Sequence, residues 1–123
     1  MDFTDSSTLP KTKGRNTLFY ATNIAPLWVQ AYDDPSVVDK IMNYLDSFRI
    51  LDYPGGIPSS LHQSGEQWDY PNGWAPNNHI VVEALQKTEN ARAREAAFSI
   101  AQKWVQTTFL AYQQTENMFE KVS

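Results

Sequence analysis

Asn90-Ala91-Arg92-Ala93-Arg94-Glu95-Ala96-Ala97-Phe98-Ser99-Ile100-Ala101-Gln102-Lys103-Trp104-Val105-Gln106-Thr107-Thr108-Phe109-Leu110-Ala111-Tyr112 carries its apolar side chains at helical spacing. Ala93, Ala96, Ala97, Ile100, Ala101, Trp104, Val105, Thr108 and Tyr112 recur every three or four residues, the signature of one helical face. Asn90 is a good amino-terminal cap, so a helix is predicted over about 90–119. Phe98, Phe109 and Leu110 fall off that stripe, and a helix apolar on more than one side needs cover on more than one side.

The same period appears upstream. Asp34-Pro35 pairs a capping acid with a proline suited to the first helical position. Val37, Val38, Ile41, Met42, Leu45 and Phe48 then line one face, while Asp39, Lys40, Asn43 and Asp46 take the other, predicting a helix over 35–48. A third helix is expected over 78–88, capped by Asn77 or Asn78 and striped by Ile80, Val81, Ala84 and Leu85. No convincing strand is present, so the chain reads as all-α, its helices packing as antiparallel pairs with small alanines permitting close approach. Residues 1–18 read as a polar, flexible segment, followed by an apolar connector over 19–28 and a helical turn near residues 29–32.

Between the first two helices lies a long loop, 49–76, rich in proline and glycine, expected to be ordered against the helices. Its end reads Gln67-Trp68-Asp69-Tyr70-Pro71-Asn72-Gly73-Trp74-Ala75-Pro76. Exposed aromatic surface is a liability unless it binds something. Flat rings beside a carboxylate and amides suit a sugar, whose C–H face rests on an aromatic plane while its hydroxyls seek donors and acceptors.

Composition bounds the alternatives. The 123 residues have the size of one small domain, and 41% hydrophobic against 20% charged residues fits a globular chain. A net charge of -4 without a basic stripe disfavours nucleic acid as a partner. No apolar run has transmembrane length, and the first residues lack the basic and apolar regions of a signal peptide. With no cysteine, disulfides and thiol chemistry are absent, and the compartment stays open. His62 and His79 stand apart from other ligands, so no metal site is expected. Ser59, Ser60 and Ser64 lack the context of an activated nucleophile.

The 67–76 string closely resembles a signature motif of the trehalases, glycoside hydrolase family 37, which hydrolyse α,α-trehalose. Gly55-Gly56-Ile57-Pro58 and Ser64-Gly65-Glu66 resemble the family's approach to it, with a loop-shaping role expected. Met118-Phe119-Glu120-Lys121 resembles the segment carrying the family's general base, although Val122-Ser123 stand where the family has Tyr-Asp. The resemblance implies an (α/α)6 toroid of which residues 19–123 are a carboxy-terminal share, the rest of the catalytic domain being its partner. It implies inverting hydrolysis without metal or cofactor, in which one carboxyl protonates the leaving oxygen and another, about 6.5–9.5 Å away, activates water. Glu120 is then the candidate base. Trp68, Asp69, Trp74, Gln67 and Asn72 are the candidate substrate-binding residues, with at least one tryptophan expected to plug the helix–loop interface. The acid belongs to a segment outside this chain, so the chain alone is expected to be inactive.

Each assignment has a plainer counterpart. Glu120 reads equally as a solvated residue beside Lys121, poorly placed against a helix dipole. Asp69 and Asn72-Gly73 read equally as turn chemistry. A non-catalytic carbohydrate-binding or interaction module remains the alternative function.

Overall fold

Asn90 opens the longest helix, its side-chain oxygen accepting from the Ala93 N–H at 3.0 Å. The computed structural model describes residues 19–119 and 121–122. Residues 1–18 and Glu120 lie outside them, and so do the expectations placed there. In chain order come a 3-10 turn Ala21–Ile24, α1 (Ala25–Trp28), α2 (Ser36–Ser47), a 3-10 turn Ile50–Asp52, β1 (Gly73–Trp74), α3 (Ala75–Gln86), α4 (Ala91–Thr115) and β2 (Lys121–Val122). The described chain is therefore all-α apart from one short ladder.

The three expected helices are present, with shifted ends. Helix α2 starts after Pro35, where Asp34 Oδ1 accepts from the Ser36 N–H at 3.0 Å. It stops before Arg49, whose backbone is left-handed at φ 56°. Helix α3 begins three residues before its expected start. Pro76 falls in its first turn, where a fixed φ suits helix initiation, and Trp74 supplies the extended residue ahead of it. Asn77 and Asn78 are thus not caps but side chains inside the first turn. Helix α4 ends at Thr115 rather than 119, because Glu116 turns left-handed at φ 58°. The helical turn expected at 29–32 lies earlier, over Ala21–Ile24 and Ala25–Trp28. Pro26 sits in the first turn of α1, and Gln30 at φ 59° closes it off.

Helices α3 and α4, joined by residues 87–90, pack along one another, and α1 lies against α3. Val38, Ile41, Met42 and Leu45 of α2 join Ile24, Leu27, Val81, Leu85, Ala93 and Ile100 in one buried cluster. Burying aliphatic side chains like these is worth about 1.5–3 kcal/mol each. Phe19, Tyr44 and Phe48 close one end, with ring centroids 5.2–5.9 Å apart. Asn90 and Arg92 reach across to Asp39 and Asn43 of α2, at 2.8 and 3.0 Å.

The expected apolar stripe of α4 is buried only in its first half. Ala93, Ala96, Ala97 and Ile100 are enclosed, whereas Val105 and Tyr112 of the stripe, and Phe109 and Leu110 off it, are exposed. In the second half only the inner edge is partly covered, where Lys103 donates to the Leu51 carbonyl and Trp104 lies beside Gly56.

The two-residue strands were not legible in the sequence. They run antiparallel, with Gly73 opposite Val122 and Trp74 opposite Lys121. A second bridge joins Tyr20 to Ser60, and the Ala21 N–H donates to the Ser59 carbonyl at 2.8 Å. The long loop is thereby tied to the segment before α1 and to the segment after α4.

Candidate functional site

The 49–76 loop holds its shape through polar side chains. Asp69 closes a turn in which its N–H donates to the Glu66 carbonyl (3.1 Å) and its carbonyl accepts from the Asn72 N–H (3.0 Å). Its carboxylate receives the Ser60 hydroxyl at 2.7 Å and the Ser64 hydroxyl at 2.5 Å. Those hydroxyls, that of Ser64 first, hold its pKa below the ordinary 3.8, and the nearby His62 adds to the effect. Asp69 is therefore a carboxylate at neutral pH, an orienting acceptor.

A folded-state pKa below the unfolded one stabilises above the unfolded pKa, and that contribution disappears as pH falls through the folded value. Stability should fall on acidification below about pH 4, and Asp69→Asn should flatten that limb. Asp34, lowered chiefly by the Ser36 N–H, and Glu83, lowered chiefly by Lys87, keep part of the slope. Urea midpoints across this range measure it. Superimposable acid limbs for parent and variant would remove Asp69 as a contributor.

The two tryptophans stack on each other, centroids 3.9 Å apart and planes inclined by 18°. Trp74 is buried at 7% exposure and donates its indole N–H to the Gln67 carbonyl at 3.0 Å, while Trp68 is 49% exposed. Trp74 is thus the plug and Trp68 the ring with a free surface. Lys121 Nζ lies 5.7 Å from the Trp74 ring centroid, a cation–π contact across the ladder. Asn72 donates its side-chain amide to the Gln67 carbonyl at 3.2 Å, which is turn chemistry. The Gln67 group in use is its backbone carbonyl, and the residue itself is exposed.

The loop's earlier limb is clamped beneath this turn. Burial, then the neighbouring Tyr70, pushes the Tyr53 hydroxyl pKa up, so it stays protonated and donates to the Pro71 carbonyl. The Ser59 N–H donates to the Asn72 carbonyl at 3.3 Å, and Asn77 donates to the Ser59 hydroxyl at 2.8 Å. Gly73 is required by this approach: a Cβ there would meet the Ile57 carbonyl oxygen at 2.8 Å. The loop-shaping role expected of Gly55-Gly56-Ile57-Pro58 agrees with the burial of all four.

A concavity of about 440 Å³ opens beside the loop, lined by Arg49, Tyr53, His62, Gln63 and Tyr70 among others. Neither tryptophan lines it. Among the described residues no three His, Asp or Glu side chains gather as a metal site, and no helix is long and apolar enough to cross a membrane.

The expected site residues therefore divide. Trp68, Asp69, Asn72 and Trp74 form one interlocked unit, tied by the ladder to Lys121, the residue after Glu120. The loop-shaping role expected of Ser64 takes the form of a bond to Asp69, while Ser60, Tyr53 and Asn78 are not among the expected site residues. Hydroxyls five and nine positions before an aspartate are available to hold it, and that spacing is the signal in the sequence.

The helical body thus presents stacked indoles beside a carboxylate fixed by two serines. The trehalase family profile matches residues 3–123. Human trehalase is 47% identical over 109 residues, 89% of this chain and 19% of the relative. Trehalases of Oryctolagus cuniculus and Apis mellifera are 44% and 46% identical over 107 and 106 residues, covering 87% and 84% of this chain. The chain belongs to the trehalase family. It spans about a fifth of the length of these relatives, and its all-α framework fits part of a helical toroid.

Proposed function

We propose that this chain supplies the carboxy-terminal share of an α,α-trehalase catalytic domain, which hydrolyses trehalose to two glucose molecules with inversion. Glu120 acts as the general base, taking a proton from the attacking water while an acid from another part of the domain protonates the leaving oxygen. Trp68 offers its open face to the sugar ring, with Trp74 as its rigid backing, and Asp69 and Gln67 border it. Asn72 contributes by holding the turn. The observation that carries this reading is the ladder. Lys121, adjacent to the candidate base, pairs with Trp74, so residues of two motifs 47 positions apart in sequence meet.

The direct test grafts this chain in place of the matched segment of human trehalase. The graft is expected to release glucose from trehalose with inverted anomeric configuration. A folded graft that binds trehalose without turning it over favours the non-catalytic alternative.

The 123-residue chain by itself is expected to release no glucose. Inverting hydrolysis requires an acid and a base on opposite faces of the bond, and only the base has a counterpart here. Its exposed Phe98, Val105, Phe109 and Leu110 should also drive self-association. Glucose assay alongside size-exclusion chromatography measures both. A stable monomer with steady turnover would overturn this assignment.

A further inference from the structure

We propose that Asn78 is the positioning residue of the aromatic loop, its buried side chain clamping the Ile57 peptide and the Trp74 carbonyl and so setting the Trp68–Trp74 stack and Asp69 in place for the sugar. Asn78 is 3% exposed, on the first turn of α3. Its Oδ1 accepts from the Ile57 N–H at 2.8 Å. Its Nδ2 donates to the Ile57 carbonyl at 3.1 Å and to the Trp74 carbonyl at 2.9 Å. One amide thus satisfies three buried backbone groups, on the loop's early limb and on its last residue before the helix. A carboxamide can do this because it carries a donor and an acceptor side by side, matching a peptide group edge to edge.

The surroundings are shaped for it. Gly56 adopts φ +113°, and a Cβ there would lie 2.4 Å from Asn78 Oδ1. On the other side Gly73 admits the Ile57 carbonyl. The clamped peptide leads within three residues to Ser60, whose hydroxyl holds Asp69, while the Trp74 carbonyl belongs to the lower ring of the stack. Asn78 therefore bonds directly to the residue of the buried indole and reaches the carboxylate through the Ile57–Ser60 segment. An apolar residue of the same size would take away the partner of the buried Ile57 N–H and carbonyl and the side-chain bond to the Trp74 carbonyl, so its effect should concentrate on the loop.

The functional half of this proposal rests on the sugar-binding reading of the loop, and the structural half does not. The test compares Asn78→Leu and the smaller Asn78→Ser with Ile41→Val, a core lesion in α2, with couplet and exchange read in the 123-residue chain and trehalose binding read in the graft into human trehalase. Three quantities are read: the exciton-coupled circular dichroism of the stacked indoles, hydrogen exchange at the Ile57 amide, and trehalose titration on the Trp68 indole resonance. Both Asn78 variants are expected to lose the couplet, to exchange Ile57 at least about tenfold faster, and to bind trehalose about tenfold more weakly. Ile41→Val should lower the melting temperature and leave all three unchanged. If Asn78→Leu does not fold, Asn78→Ser decides. A retained couplet and a protected Ile57 amide would overturn the clamp. A lost couplet with unaltered trehalose binding would overturn its role in positioning for the sugar. A parent graft showing no trehalose response would count against the sugar-binding reading, and couplet and exchange would still decide the clamp.

Discussion

Glu120→Gln in the grafted enzyme is expected to lower kcat by about 10²–10⁴-fold with KM little changed. Glutamine keeps the size and hydrogen-bonding reach of the side chain and removes only its capacity to take a proton. The ground-state complex should survive, and water attack should lose its base. The split between kcat and KM is informative. A rise in KM at constant kcat would make Glu120 a binding residue, and a variant with most of its turnover would take it out of the mechanism. An external nucleophile needing no deprotonation, such as azide, should restore part of the rate to the variant and give a glycosyl azide of inverted configuration. Steady-state kinetics with and without azide measure this.

Trp74→Ala should destabilise the fold by roughly 3–5 kcal/mol, the usual loss for a buried tryptophan. The ring is nearly enclosed, backs Trp68 at 3.9 Å, and satisfies the Gln67 carbonyl. It also sits beneath the Lys121 ammonium. Truncation opens a cavity, removes one of the two side-chain donors on the Gln67 carbonyl and weakens the two-stranded ladder together. Trp68→Ala is the counterpart. It loses a half-exposed ring and a stacking contact worth about 0.5–1.5 kcal/mol, so its main effect should fall on sugar binding. Urea unfolding of both variants, with trehalose titration of Trp68→Ala, separates the roles. Equal destabilisation by the two substitutions would contradict the division into plug and platform.

The length and apolar phase of the three helices were legible because helical periodicity is a local property. Val38, Ile41, Met42 and Leu45 face the core as their spacing requires, and Asn90 caps α4 by the rule for its residue type. The ends were less legible. Left-handed residues at Arg49 and Glu116 terminate helices without a glycine to announce them. The start of α3 was misplaced because Asn77 and Asn78 have the composition of caps, and Pro76 alone did not outweigh them. In the folded chain their side chains are drawn to Ser59 and Ile57, partners about twenty residues away.

By itself, the sequence determined an all-helical body, an ordered aromatic loop and a family resemblance dense in rare residues. These follow from short-range spacing and from residue types whose chemistry is limited. Only the tertiary structure decided that Trp74 is buried under Trp68, that two serines fix Asp69, that Asn78 clamps Ile57, and that Lys121 pairs with Trp74. Each depends on contacts between residues remote along the chain, where the outcome turns on which groups must be satisfied once water is excluded. A buried peptide group must find a partner, and which side chain supplies it is settled by where the folded backbone brings the two together.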